Sequence, residues 1–470
     1  MNIHRKYPAL LVCALALATG SAPAEDWSRF RGPNGSGIVE DGSYPAEFGP
    51  DKNLIWKAAA RPGKSSPVLT EKHIFLTAFD GGKLYTQCFD RASGKLLWER
   101  SVPRAREADI NGLNEPAANS PVTDGENVYV VFRDVGLISY DASGEQRWTT
   151  PLDPLMTLMG HSSSPILAGE SLVLQADQNY GSYIAAFDPA NGELKWKVAR
   201  EEGAGWATPL LYAREDRTPQ IVTASRGFFG AHSLSDGKRI WGMKEIPPAI
   251  VASPIVHGDT VYVFGYGNDA ANDFEGGFDR RDKDSNGVLS TEEYEGSAFM
   301  LGLAKLEGNR DGLLSKEEYL TAYRATIAPS SLVAFRFDGD SGPGGAPPRE
   351  IWRYERSFNG VIPSALVYRE VLYLIKNGGI LETLNPKTGE VFKRGRVRDV
   401  IEGYSASPVA ADGKVYLTSE GGKVSVLRAG PEGEVIAVND LGEPAFATPA
   451  LSGGKIFVRT DTAIYCFGSK

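Results

Sequence analysis

A Ser/Thr-Pro dipeptide returns at a near-constant interval along this chain, and little else constrains its fold as strongly. It stands at Ser66-Pro67, Ser120-Pro121, Ser164-Pro165, Thr208-Pro209, Ser253-Pro254, Ser407-Pro408 and Thr448-Pro449, and a reversed Pro363-Ser364 fills the one gap. The uninterrupted intervals are 44 (120 to 164), 44 (164 to 208) and 45 residues (208 to 253), a period expected of propeller blades. Between Ser164 and Trp196 the pattern is cleanest: four short runs of Val, Ile, Leu, Tyr and Phe are separated by Gly, Asp and Asn turns. Such runs read as a four-stranded antiparallel meander, strands A to D. One meander cannot bury both of its faces, so it must stack on copies of itself.

The ends of the repeat predict how the stack closes. The last repeat stops after strand C, at Ala463–Phe467, and the missing strand D stands near the other terminus as Asn53-Leu-Ile-Trp56-Lys. Pairing the two leaves no open sheet edge. The reading is an all-β, eight-bladed β-propeller of four-stranded antiparallel blades closed by an N-terminal strand. A turn Gly precedes a strand-D Trp by four residues at Gly94–Trp98, Gly144–Trp148, Gly192–Trp196 and Gly237–Trp241. These rings, with Trp56 and Trp352, read as blade-to-blade packing. Phe392 is the aromatic expected to stand in at blade six, and Trp206, outside the pattern, is a candidate for the channel mouth.

Residues 1–24 read as a secretory signal: His4-Arg5-Lys6, an apolar stretch from Ala9 to Ala18, and Ala22-Pro23-Ala24 as a cleavage site. That stretch is too short to cross a bilayer, and no later segment suits a crossing. The expectation is an exported protein, periplasmic or secreted. The whole chain carries a net charge of −9, and loss of Arg5 and Lys6 leaves 48 basic against 59 acidic residues, −11. That balance argues against nucleic acid and anionic membrane as partners. Cys88 and Cys466 precede a Phe on strand C, a slot that holds Ser139, Ala186 and Ala231 in other blades. They read as buried thiols on adjacent blades, too far apart for a disulfide.

The Asp-x-x-x-Gly-x-x-x-Trp blade ends resemble the tryptophan-docking repeats of pyrroloquinoline-quinone (PQQ) propellers. The opening Asp26-Trp-Ser-Arg-Phe30-Arg-Gly-Pro33 resembles secreted bacterial PQQ-like repeat proteins. The resemblance covers about residues 26–267 and 330–470. It implies the propeller fold. The Gly and Pro content of residues 26–37 reads as a loop, which its aromatics pin to the propeller surface. It does not imply one activity, because similar repeats build both quinoprotein dehydrogenases and a non-enzymatic propeller of outer-membrane assembly.

Residues 268–329 interrupt blade five between strands B and C, dividing the propeller into 25–267 and 330–470. The insertion carries Asp282-Lys-Asp284-Ser-Asn286-Gly287-Val288-Leu-Ser290-Thr-Glu-Glu293, an EF-hand loop at every position of the pattern. Calcium wants six to eight oxygens. Asp282, Asp284 and Asn286 offer side chains, Val288 a carbonyl, Ser290 a water-mediated contact and Glu293 two oxygens. A second loop offers Glu307, Asn309, Asp311, Leu313, Ser315 and Glu318, with Glu in place of Asp at its first position. Only residues 294–306 separate the loops, room for one helix, which argues against a four-helix lobe.

Enzyme signatures are thin. No two of the histidines are spaced as metal ligands, and Gly-x-Ser-x-Gly, phosphate-loop and Cys-x-x-Cys-His motifs are absent. The vicinal cysteines usual in PQQ dehydrogenases are also missing. The B–C loops contribute Asp80, Arg133, Asp177, Arg226, Lys376, Glu420 and Arg459. Of these, Arg133, Asp177, Arg226, Lys376 and Arg459 are the candidate contacts to an anionic small molecule at the channel mouth. The expectation is a monomeric binding or scaffold propeller holding Ca²⁺ in its insertion, with a protein, polysaccharide or anionic small molecule as partner. Two alternatives stand beside it: a PQQ-dependent dehydrogenase of reduced type, and a calcium-dependent adhesion or polysaccharide-associated protein.

Overall fold

Proline has no N–H to give a sheet, so each Ser/Thr-Pro fixes where a strand A can begin. In the computed structural model every one of them leads into a short strand A and a four-stranded antiparallel sheet, and there are eight such sheets. The structure describes residues 27–104, 114–153, 155, 157, 159–215, 217–244, 246–268, 272–306, 308–338, 346–356 and 362–469. The expected signal, residues 1–24, lies outside them. Blade one runs Val68–Leu69, His73–Asp80, Lys83–Asp90 and Leu96–Pro103 as strands A to D. Blade eight takes A to C from Ala450–Ser452, Lys455–Arg459 and Ala463–Gly468, and its strand D is Leu54–Ala59. Trp56 pairs with Cys466 there, so the chain ends close the ring as the repeat predicts.

The eight Ser/Thr residues do more than mark strand starts. Each backbone N–H donates to the hydroxyl of the next blade: Ser66 to Ser120, Ser120 to Ser164, Ser164 to Thr208, Thr208 to Ser253. Ser253 continues to Ser364, Ser364 to Ser407, Ser407 to Thr448, and Thr448 returns to Ser66. All eight distances lie between 2.9 and 3.1 Å. The reversed Pro363-Ser364 keeps its serine in the same place.

Outside this ring, blades join through aromatic docks. Gly94, in the C–D turn of blade one, has φ +73, and a Cβ there would fall 2.5 Å from the Trp56 ring of blade eight. The indole Nε1 completes the dock by donating to a carbonyl of the same turn, Arg91 O, at 3.2 Å. Trp98, Trp148, Trp196 and Trp352 repeat the arrangement on Ala142, Pro189, Leu234 and Pro386. Trp241 instead meets Phe337 of blade five edge-on at 5.7 Å. At the junction of blades seven and eight Phe48, from the N-terminal segment, packs on Phe467 at 4.9 Å.

Phe392 does not take the tryptophan's place in blade six. Every repeat Trp faces the strand-C residue just before a bulge, as Trp98 faces Cys88 and Trp196 faces Ala186. In blade six that register puts Lys393 opposite Thr383 and leaves Phe392 39 % exposed. Cys88 and Cys466 are fully buried free thiols, and burial pushes both up to about 12.

The N-terminal loop is also placed differently from the expectation. Residues 27–39 cross the end of the channel where strands A run into their A–B turns. The carbonyls of Trp27 and Ser28 accept from Leu69 and Thr123 of blades one and two. Arg29 donates to Pro209 O of blade four at 2.7 Å, and Arg31 to Ala365 O of blade six at 2.9 Å. Gly37 and Val39 pair with Ala410 of blade seven. The segment is a plug tied to five blades rather than a loop on the surface.

Residues between strand B (Thr260–Gly265) and strand C (Ser331–Arg336) of blade five fold on a separate core of Phe278, Leu289, Tyr294, Leu303, Leu314 and Tyr319. They form helices α1 (Phe274–Asp279), α2 (Ala298–Leu306) and α3 (Lys316–Arg324), with one helix between the two loops as their spacing requires.

Candidate functional site

Two regions on the face carrying the B–C and D–A connections hold clustered polar chemistry. The first is an axial chamber of about 360 Å³. The eight ring residues form its waist, Phe30 of the plug its floor, and Lys64, Trp206, Tyr266, Glu420 and Phe446 its mouth. Trp206 is fixed by its indole N–H on Gly160 O at 3.0 Å, and Lys64 lies 5.1 Å from the Phe446 ring. Among the described residues none of the eight ring hydroxyls donates to a protein acceptor. Their protons therefore suit a ligand or waters rich in acceptor oxygens. Sequence reasoning saw these residues only as strand starts; the chamber follows from their shared 44-residue phase once the ring closes.

The second region is the insertion. Its two loops lie side by side, joined by a two-stranded ribbon in which Val288 pairs with Ser315 and Leu289 with Leu314. Leu289 and Leu314 are the eighth positions of their loops, so the pairing relates the loops symmetrically. Both turn through left-handed backbone at the fourth and sixth positions, Ser285 and Gly287 in one, Arg310 and Gly312 in the other. In the first loop, carboxylate oxygens of Asp282, Asp284 and Glu293 all lie within 4.8 Å of one another.

The backbone holds those acids in place. Gly287 N–H donates to Asp282 Oδ2 at 2.9 Å, and Lys283 and Ser290 N–H donate to the two oxygens of Glu293 at 2.8 and 2.9 Å. These donors, Ser290 first, hold the Glu293 carboxyl below the usual carboxylate range. Asn286 Oδ1 accepts from Val288 N–H at 2.8 Å. In the second loop Glu318 likewise accepts from Asn309 and Ser315 N–H, both at 3.0 Å, and Asp311 Oδ1 from Leu313 N–H at 2.8 Å. Glu307 lies outside the described residues. Arg310 reaches across to blade three, its guanidinium 3.7 Å from the ring of Tyr180.

The five rim residues do not gather into an open site. Arg133 is buried and donates to Leu155 O and Thr157 O. Arg459, 1 % exposed, is spent on Ser65, Thr77 and Arg61 oxygens. Asp177 is buried against Arg200 at 2.7 Å, and Lys376 pairs with Glu382 at 3.0 Å. Arg226 is half-buried beside Gly203. At the rim itself, Asp80 pairs with Arg61 and Glu420 accepts from Ser405. Arg133 and Arg459 turn into the wall because backbone carbonyls at the blade ends need donors, while Asp177 and Lys376 are taken up in ion pairs.

Comparison with known proteins agrees with this architecture. A family profile described as outer membrane protein assembly factor BamB matches residues 48–264. The BamB of Burkholderia pseudomallei is 24 % identical over 190 residues, 40 % of this chain and 45 % of that protein, so the chain spans less than half of this curated relative. The crystal structure of BamB from Moraxella catarrhalis superposes with a TM-score of 0.55 at 13 % identity, covering 87 % of this chain and 98 % of that one. A computationally designed protein, Ika8, gives 0.51 at 9 % identity over 89 % of this chain and all of its own. The quinohemoprotein alcohol dehydrogenase ADHIIG from Pseudomonas putida gives 0.50 at 11 %, covering 94 % and 80 %. At such identities the solved structures speak for the fold alone. With the repeat Trp residues in register and the ring closed by the N-terminal strand, the chain folds as an eight-bladed β-propeller built of PQQ-like repeats.

Proposed function

We propose that this protein is an exported binding and scaffold propeller whose insertion holds Ca²⁺ and offers a docking surface beside the channel mouth. The observation that carries the reading is the convergence of Asp282, Asp284 and Glu293 oxygens within 4.8 Å, in a loop paired symmetrically with a second one. All the donors are hard oxygens, the set a calcium ion takes. Asp282, Asp284, Asn286, Ser290, Glu293 and the Val288 carbonyl would hold the first ion. Asn309, Asp311, Ser315, Glu318 and the Leu313 carbonyl, with Glu307, would hold a weaker second one. The ion would supply the charge that keeps these carboxylates together; the chain supplies the frame.

Calorimetric titration of the purified protein with CaCl₂ tests this. One clear site is expected, in the range of about 10⁻⁴–10⁻³ M usual for extracellular modules. No uptake at millimolar calcium refutes it.

The axial chamber, with its ring of hydroxyl donors, favours a second reading, a PQQ-dependent dehydrogenase, but its charge suits that cofactor poorly. PQQ brings three carboxylates, and Lys64 is the one lysine or arginine lining the chamber among the described residues. Reconstitution with PQQ and Ca²⁺, followed by dye-linked assay on alcohols and aldoses, is expected to give no turnover.

A further inference from the structure

In every blade the residue two before the ring Ser or Thr also lines the axial chamber. Extended backbone turns alternate side chains to the same side, so both positions face the channel. The residue between them goes into the wall: Ser65, Asn119 and Ala447 are each 2 % exposed or less. Two tiers result, and they differ in kind. The lower tier is Ser or Thr throughout, because each hydroxyl accepts the N–H of the blade before it. Ring closure asks nothing of the upper tier, and it is not uniform. Blades four, five and six place Trp206, Val251 and Ile362 there and blade eight places Phe446, whereas blades two and three place only Ala118 and Ser162. Blades four and eight stand opposite each other in a ring of eight, so Trp206 and Phe446 enter the mouth from opposite sides.

We propose that this chamber takes the terminal residue of a neutral carbohydrate. The aromatic rings of the mouth, with Phe30 as floor, offer π faces whose negative charge attracts the C–H bonds of a sugar ring. Below the mouth, the ring hydroxyls have protons that no protein acceptor takes among the described residues, and sugar oxygens accept such protons. A purely apolar ligand would bury those hydroxyls without partners, at a cost in affinity. The charged residues lining the chamber are Lys64 and Glu420, one of each sign, so neither sign of ligand is favoured. Lys64 lies by the Phe446 ring, and Glu420 accepts from Ser405. A volume of about 360 Å³ falls in the ~300–1,000 Å³ range of small-molecule sites. The plug, tied to blades four and six by Arg29 and Arg31, closes the far end. The chamber is therefore a dead end that receives a chain terminus or a free sugar and cannot thread a chain. The inference rests on the binding reading of this propeller and not on its calcium.

The test is calorimetric titration of the mature protein with neutral trisaccharides: cellotriose, maltotriose and triacetylchitotriose. Trigalacturonate and PQQ serve as anionic controls, and each titration is run with calcium and with EDTA. Saturable binding of at least one neutral sugar is expected, equal in both buffers and tighter than that of either anion. Trp206→Ala should weaken it by at least about tenfold, as loss of a central aromatic anchor does. Ala118→Trp, which fills the mouth and leaves the ring hydroxyls untouched, should weaken it as much without lowering the melting temperature. No binding of any neutral sugar, or tighter binding of an anion, overturns the inference. Full affinity in a folded Trp206→Ala or Ala118→Trp protein also overturns it. Calcium uptake without sugar binding removes this inference alone; sugar binding without calcium uptake removes the calcium reading alone.

Discussion

The backbone N–H of Thr448 donates to Ser66 Oγ at 3.1 Å, across the point where the two ends of the chain meet. That bond turns seven blade-to-blade hydrogen bonds into a closed ring, so blade eight is held to blade one at the channel as well as by its borrowed strand. In each pair one residue's N–H meets a hydroxyl, so threonine serves as well as serine, and Thr208 and Thr448 already occupy two of the positions.

Ser164→Thr should therefore be nearly neutral, whereas Ser164→Ala removes the acceptor of the buried Ser120 N–H. An unsatisfied buried donor costs about 1–3 kcal/mol. Urea unfolding monitored by tryptophan fluorescence checks both. Equal stability of the two variants would mean that chamber water replaces the hydroxyl.

Glycine at the plug is required by contact as well as by conformation. Gly32 has φ +64, and a Cβ there would fall 2.5 Å from the buried Trp27 ring; Gly81 has φ +54 and open space around it. Gly81→Ala should cost about 1–2 kcal/mol, the strain of left-handed backbone alone. Gly32→Ala should cost several-fold more, or lift the plug from the channel. Melting temperatures of the pair decide the point.

Two histidines are built into the wall as neutral rings. His161 Nδ1 takes a proton from Asn119 while Nε2 gives one to Gln175 O, and His232 Nε2 accepts from Arg200 while Nδ1 donates to Gly237 O. Burial, with Arg133 near one and Arg200 near the other, lowers His161 to about 4 and His232 to about 3. The unfolded chain binds these protons near 6.5, so stability is complete above that pH and falls as pH drops toward 4. Each ring should add a slope of about 1.4 kcal/mol per pH unit in that window. Denaturation curves of wild type and His161→Gln across it measure the difference; parallel slopes would refute the assignment.

What could be read from the sequence was what repeats or lies close together along the chain. The Ser/Thr-Pro phase and the Gly–Trp spacing specify blade number and closure because each blade solves the same packing problem. The convergence of the Asp282, Asp284 and Glu293 carboxylates was legible for the same reason, all three lying within twelve residues. Lys393 was misread as Phe392 because composition favours the aromatic, while the bulge beside Thr383 sets the register. The plug and the buried Arg459 were not legible, because their partners lie on other blades, and Arg133 was not, because its acceptors are carbonyls of the irregular connection that follows its own blade. Gly-rich sequence at 32–37 says turn and leaves open what the turn will rest on.

Calcium should act on the insertion and leave the propeller alone. The insertion's core shares no residue with the blade clusters, and its ties to the ring are few. Asn268 bonds with Thr326 to close its own base, and Arg310 stacks on Tyr180 of blade three at its tip. Without the ion, Asp282, Asp284 and Glu293 repel one another at short range, so the loops should open locally. Hydrogen exchange with and without calcium should then differ at Gly287 and Ser290, whose N–H groups hold the ligand carboxylates, and agree at Ser120 and Thr448 in the ring. Glu293→Gln should weaken the first site by about 1–3 kcal/mol, since it removes a charged ligand. Tyr180→Ala should leave affinity almost unchanged, because an exposed cation–π contact contributes only about 0.5–1 kcal/mol. Calcium protection that spreads evenly through the ring, or a Glu293→Gln protein that binds like wild type, would overturn this division.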